Sequence, residues 1–172
     1  MTTILNACEI LKQLIRFNTT NPPGNEAECI GYIKGLMEDS GIKTTLYAQD
    51  ENRPNLVCRL PGKDCAPPSL LFYGHTDVVT ADNQAWRHEP FDAHEEGGYI
   101  WGRGALDMKG GLAMMIAAVL SIRKQGIIPA GDIVFAALSD EEAGGDLGAR
   151  FLVENHPVAY PASFVVVELK TI

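Results

Sequence analysis

Three runs of this chain are almost continuously apolar and rich in branched or aromatic side chains: SLLFYG (69–74), DIVFAALS (132–139) and SFVVV (163–167). Runs of that length, apolar on both alternate faces, read as strands buried on two sides. Helical patterns lie between them. Residues 107–125 are apolar nearly all round, with Arg123 and Lys124 near the end and Gly126 as a stop. LGARFLVEN (147–155) is a shorter helix. Strands alternating with helices can bury both sheet faces only as a layered α/β domain, a three-layer sandwich with a mostly parallel central sheet. At 172 residues the chain is long enough for one such domain and short for two.

The remaining elements fit that frame. ILNACEILKQLIRF (4–17) places Ile4, Cys8, Leu11 and Ile15 on one helical face. TTNPPGNE (19–26) is a turn, with Asn25 available to cap a second helix carrying Ile30, Ile33 and Met37 inward and closing at Gly41. IKTTLYA (42–48) and NLVCRL (55–60) read as strands, and the segment around Gly97 and Gly98 as a hairpin. Cys8, Cys29, Cys58 and Cys65 form no C-x-x-C pair and read as free thiols of a reducing compartment, with the cytoplasm the expected location. A net charge of -8 disfavours nucleic acid or an anionic membrane as partner. The longest apolar stretch, 112–120, falls well short of the roughly 20 residues that span a bilayer.

The strand ends carry the chemistry. LLFYG runs into His75 and Asp77, IVFAALS into Asp140, Glu141 and Glu142, and FVVV into Glu168, while GRGALDMKGG delivers Asp107 to the start of the long helix. In open α/β sheets, ligands collect outside the carboxyl ends of the strands. Several carboxylates gathered there repel one another unless a cation joins them. Imidazole with carboxylate oxygens suits zinc, with manganese or cobalt as replacements. Asp77, two residues beyond His75, can hold the imidazole N–H as an outer carboxylate partner. Glu141 and Glu142 point to opposite sides if the strand stays extended, so one can ligate while the other remains a base. Taken singly, HTD reads as a turn and SDEEAGG as a helix start favoured by its dipole. The glycines of 102–111 lack phosphate-loop order, and no G-x-S-x-G elbow supports a serine hydrolase.

TTNPPGNE, LLFYGHTDVV, YIWGRGALDMKGG and ALSDEEAGG together resemble the zinc-dependent amidohydrolases and exopeptidases that include acetylornithine deacetylase, succinyl-diaminopimelate desuccinylase, aminoacylase and glutamate carboxypeptidase. The likeness runs from about residue 10 to Glu168. It implies a zinc-exopeptidase fold with His75 on one zinc, Asp107 bridging two, Glu142 on the second and Glu168 completing the first. Glu141 would be the general base, Asp77 the orienter of His75, and the Asp107–Met108 peptide cis. The implied reaction is cleavage of an amide bond in N-acyl amino acids or small peptides by a metal-bridging hydroxide. Members of that family are longer and commonly homo-oligomeric. The resemblance therefore implies that residues 1–172 are the N-terminal portion of the catalytic domain. A lid and dimerisation domain would follow, then a return segment supplying a histidine to the second metal, so this chain alone is expected to lack turnover. His88, His94 and His156 read as surface residues. The competing expectation is a non-catalytic domain that keeps the fold and binds a single metal or a partner.

Overall fold

The computed structural model describes residues 6–63, 69–157 and 164–166. Along the chain run α1 (Ala7–Arg16), α2 (Ala27–Asp39), β1 (Thr44–Tyr47), β2 (Asn55–Leu60), β3 (Leu70–His75), β4 (His94–Glu96), β5 (Tyr99–Trp101), α3 (Lys109–Lys124), β6 (Ile133–Leu138), α4 (Ala149–Asn155) and β7 (Phe164–Val166). Five strands form one sheet in the order β1-β2-β6-β3-β7, and β4 with β5 forms a separate hairpin. β6, β3 and β7 pair in parallel, whereas β2 is antiparallel to both β1 and β6. Four strands thus share one direction, and β2 alone opposes them. The expected α/β layering is present, with a mixed sheet at its centre.

Alternation along β2 and β6 divides the core. Leu56, Cys58 and Leu60 with Ile133, Phe135 and Ala137 face α1, α2 and α3, meeting Ile10, Leu14, Ile30, Ile33, Met37, Leu112, Ile116 and Val119. Val57, Val134, Ala136 and Leu138 face the other way and pack with Leu71 and with Leu152 of α4. Each large side chain removed from water in this way contributes about 1.5–3 kcal/mol. The inward face of α1 is set by Ile10, Leu14 and Ile15, while Cys8 is exposed and Ile4 lies outside the described residues. The helix is rotated from the expected face because Leu14 and Ile15 bury more apolar area than the small Cys8 would. Its Asn6 caps the first turn by accepting from Glu9 N at 2.9 Å. α2 begins one residue later than an Asn25 cap would set, because Glu26 is drawn into a buried ion pair. Gly41 and Gly126 follow α2 and α3 at φ 72° and 66°, the left-handed turn in which glycine has no steric cost.

Parallel pairing of β3 with β6 sets His75 opposite Leu138. The two polar strand ends therefore emerge side by side. Residues 19–21 run alongside them: Val78 N donates to Thr19 O at 3.1 Å, Asn21 N donates to Val78 O at 2.9 Å, and the Thr19 hydroxyl donates to Thr76 O at 2.6 Å. Among the described residues, Cys8, Cys29 and Cys58 are free thiols, and no helix is long and apolar enough to cross a membrane.

Candidate metal centre

His75 closes β3 and is 2% exposed. Its Nδ1 sits 2.9 Å from Asp77 O and 3.3 Å from Asp77 Oδ1, so that edge of the ring is held from within the fold. Its Nε2 points the other way, 3.1 Å from Asp107 Oδ1 and 3.6 Å from Glu141 Oε2. One ligand atom each from His75, Asp107 and Glu142 lies within 4.8 Å of the others. Three of the four expected ligands are thus brought together. Glu168 lies outside the described residues.

Asp77 is fully buried and organises both strand ends. Its carboxylate accepts from Glu141 N at 3.1 Å, from Glu142 N at 3.0 Å and from Asn21 Nδ2 at 2.8 Å. The same Asn21 amide donates to Asp140 Oδ1 at 3.2 Å, and Arg53 Nη1 sits 2.9 Å from that oxygen. Arg53 in turn grips buried Glu26 through two bonds, of 3.0 and 2.7 Å. This pair, with Asn21 and Asp140, fixes the turn that carries the glutamates. Of the four, Asp140 is legible as part of the acidic run that ends β6, Asn21 and Glu26 are marked only by lying within TTNPPGNE, and Arg53 carries no such signal.

Asp140 adopts φ 70°, and Glu141–Ala143 form a short 3-10 turn. The glutamates do not continue the strand, so the opposite-face expectation for an extended backbone does not apply. The turn instead separates them, with Glu142 joining His75 and Asp107 and Glu141 approaching the Nε2 edge of the ring. Asp107 precedes α3 through a cis peptide to Met108, as the resemblance implies. Met108 Sδ accepts from His75 N at 3.2 Å, and Lys109 is fully buried with its ammonium donating to Leu14 O and Phe17 O at 2.9 and 2.8 Å. This lysine, which sequence reasoning missed, ties α1 to the start of α3.

Electrostatics agree with a cation site. Burial disfavours a charged His75, yet the Asp77 hydrogen bond and the charges of Asp77 and Glu141 lift its pKa to about 9. Burial likewise opposes ionisation of Asp77, but His75 and Asn21 hold its carboxyl below the usual range. Burial raises Glu142, and repulsion from Asp107, Glu141 and Asp77 adds to this against the opposing pull of His75. A proton or a metal ion at the open face relieves that repulsion.

His94 is exposed, as expected, and lies against His88. Their rings stack at 3.8 Å, with His88 partly buried, while His156 packs against Tyr47 and Phe151.

Comparison with known proteins places this geometry. The chain is 37% identical over 161 residues to succinyl-diaminopimelate desuccinylase of Rickettsia typhi, covering 91% of this chain and 42% of that protein. It is 36% identical over 139 residues to N-formyl-4-amino-5-aminomethyl-2-methylpyrimidine deformylase of Bacillus subtilis, covering 79% of this chain and 33% of that one. It therefore spans well under half the length of these relatives. Human carnosine dipeptidase 1 superposes with a TM-score of 0.78 at 22% identity, covering 94% of this chain and 38% of the dipeptidase. An M20 family metallo-carboxypeptidase of Sulfolobus solfataricus gives 0.77 at 22% identity, with 94% and 37% covered. Both show the same fold. Residues 71–170 match the profile of peptidase family M20/M25/M40, and the chain belongs to that family.

Proposed function

We propose that residues 1–172 form the N-terminal portion of the catalytic domain of a metal-dependent amidohydrolase that cleaves an amide bond in small N-acyl amino acids or peptides. One observation carries the reading: His75, Asp107 and Glu142 converge at the carboxyl ends of adjacent strands, and Glu141 stands beside them. An imidazole nitrogen with carboxylate oxygens is a donor set that suits zinc, with cobalt or manganese as substitutes. His75, Asp107 and Glu142 would hold metal, Glu168 would add a carboxylate, and a full site would take two ions. Bound there, the metal supplies Lewis acidity: it lowers the pKa of water and polarises the scissile carbonyl.

The protein's own groups do the rest. Glu141, about a third exposed and not drawn into the metal set, takes a proton from the attacking water and returns it to the departing amine. Asp77 holds the Nδ1 edge of His75, which fixes the ring and leaves Nε2 as the ligand atom. Through the amides of Glu141 and Glu142 it also sets base against ligand. The names of the relatives point to succinyl, formyl or dipeptide amides as substrate classes for the longer protein, which would act as a homo-oligomer on small substrates.

The test is the gene product carried beyond residue 172, assayed on N-succinyl and N-acetyl amino acids and on dipeptides. Glu141→Gln should abolish turnover at full zinc content, whereas Glu142→Gln should lose zinc as well as turnover. Equal zinc loss in both variants would overturn the assignment of base and ligand. Zinc binding without hydrolysis of any amide would favour a metal-binding domain with no catalysis.

A further inference from the structure

We propose a second divalent-metal site, separate from the one above, formed by His88, His94 and Glu96. One ligand atom from each lies within 4.8 Å of the other two. Two of the three come from β4, where His94 and Glu96 alternate by two and so share a face of the hairpin. Across β5, Trp101 pairs with His94 and Tyr99 with Glu96. His88 arrives from the preceding loop, stacks on His94 and sets its ring edge toward Trp101 at 5.6 Å. Aromatic packing therefore fixes both imidazoles before any ion binds.

A second observation points to a ligand. His88 Nε2 is buried and lacks a hydrogen-bond partner, although Glu96 Oε2 stands 3.5 Å away. A buried ring nitrogen without a partner is costly, and an ion between it and the carboxylate would satisfy both. Two imidazoles and one carboxylate select a borderline cation such as zinc over magnesium or calcium. Three protein ligands leave a position for water. The competing group is Arg87, whose guanidinium lies 2.9 Å from the same Glu96 oxygen and 5.8 Å from the centre of the Trp101 ring. Metal and Arg87 would compete for that carboxylate. The site would pin the 80–93 loop onto the β4–β5 hairpin.

The experiment uses the 172-residue chain carrying Asp107→Asn, which weakens the first site at a half-exposed position. Zinc is titrated in while the ring protons of the four histidines are followed by proton NMR, with metal content checked by elemental analysis. The His88 and His94 signals should move together and saturate at about one equivalent, while that of His156 stays still. In the same background, His94→Ala and Glu96→Gln should each weaken binding about tenfold or more, the usual scale for disturbing a metal's ligand environment. Arg87→Ala should tighten it, a response that a purely packed histidine stack would not give. All four positions are at or near the surface, and circular dichroism would confirm that the variants fold. Failure of the His88 and His94 signals to respond to excess zinc would overturn the proposal. So would a His94→Ala variant that binds within about threefold of its parent.

Discussion

Replacing Asp77 should damage the fold before it damages any chemistry. In Asp77→Ala, Asn21 keeps its bond to Asp140 but loses its buried bond to the carboxylate, and the amides of Glu141 and Glu142 lose their acceptor. A buried donor deprived of a charged acceptor costs about 1.5–3 kcal/mol, and a partly buried amide less. His75 would also lose the counter-charge at its Nδ1 edge, and breaking a buried pair of this kind costs about 3–5 kcal/mol. These losses overlap, so we expect about 3–5 kcal/mol in all, a large part of the roughly 5–15 kcal/mol that holds a domain folded. Asp77→Asn keeps the shape and one acceptor, and should lose about 1–3 kcal/mol. The assay is urea unfolding followed by circular dichroism at neutral pH with EDTA present. With a slope of about 2 kcal/mol/M, the alanine variant should shift its midpoint by roughly 2 M at unchanged slope. An alanine variant within about 1 kcal/mol of its parent would refute the reasoning, as would equal losses for alanine and asparagine.

Four further outcomes follow from the same geometry. Because the folded pKa of His75 is about 9, above the unfolded value, its contribution to the metal-free chain is complete below about pH 6.5. That contribution is lost as pH rises toward 9, so the urea midpoint should fall across this window, and less steeply in Asp77→Ala. Arg53→Met strands buried Glu26 and should cost about 3–5 kcal/mol; a melting temperature equal to the parent's would contradict this. Lys109→Met fills the same space but takes the ammonium donor from both carbonyls, leaving Leu14 O only the 3.3 Å bond from Phe17 N, and denaturation should show a loss of about 1–3 kcal/mol. Gly148→Ala would set its new carbon 2.0 Å from Ser139 O, a backbone clash that should cost about 3 kcal/mol or more, measurable as poor yield and a lowered unfolding midpoint.

Sequence pattern was most informative where the chain is apolar and regular. The strands at 69–74 and 133–138 were legible because burial on two faces leaves a nearly unbroken apolar run. The long helix after Asp107 was legible because its apolar content is high, although its buried residues form one stripe and Met114 is exposed. His75, Asp77 and the two glutamates were legible because strand ends are where such a fold places ligands. Less visible was what depends on tertiary packing. Nothing local distinguishes Lys109 from a solvated lysine, and the partners that let it be buried are two carbonyls at the end of α1, Leu14 O and that of its cap Phe17, more than 90 residues earlier. Arg53 and Glu26 are likewise ordinary charges until the amides of Glu26 and Ala27 bond Asn52 O and bring their segments together. The left-handed backbone at Asp140 also defeats any inference from period-two alternation, because the strand has ended before the glutamates begin. For His88 and His94 a signal existed, the H-x-E alternation of AHEEGG, but it gains meaning only when the loop folds back over the hairpin.

Parallel pairing of β3 with β6 also acts as a ruler. Adjacent strands lie about 4.8 Å apart whatever their side chains, so the distance from His75 to the glutamate turn is fixed by backbone spacing. Asp107 is different, since it returns after the loop and hairpin that occupy residues 80–103. Evolution and engineering therefore have two separate dials on one centre. Insertions in the excursion can reshape its approach and rim without altering the imidazole–glutamate separation. A single-residue insertion between Leu138 and Glu141 would misplace Glu142 and Glu141 together while leaving His75, Asp107 and the sheet itself intact.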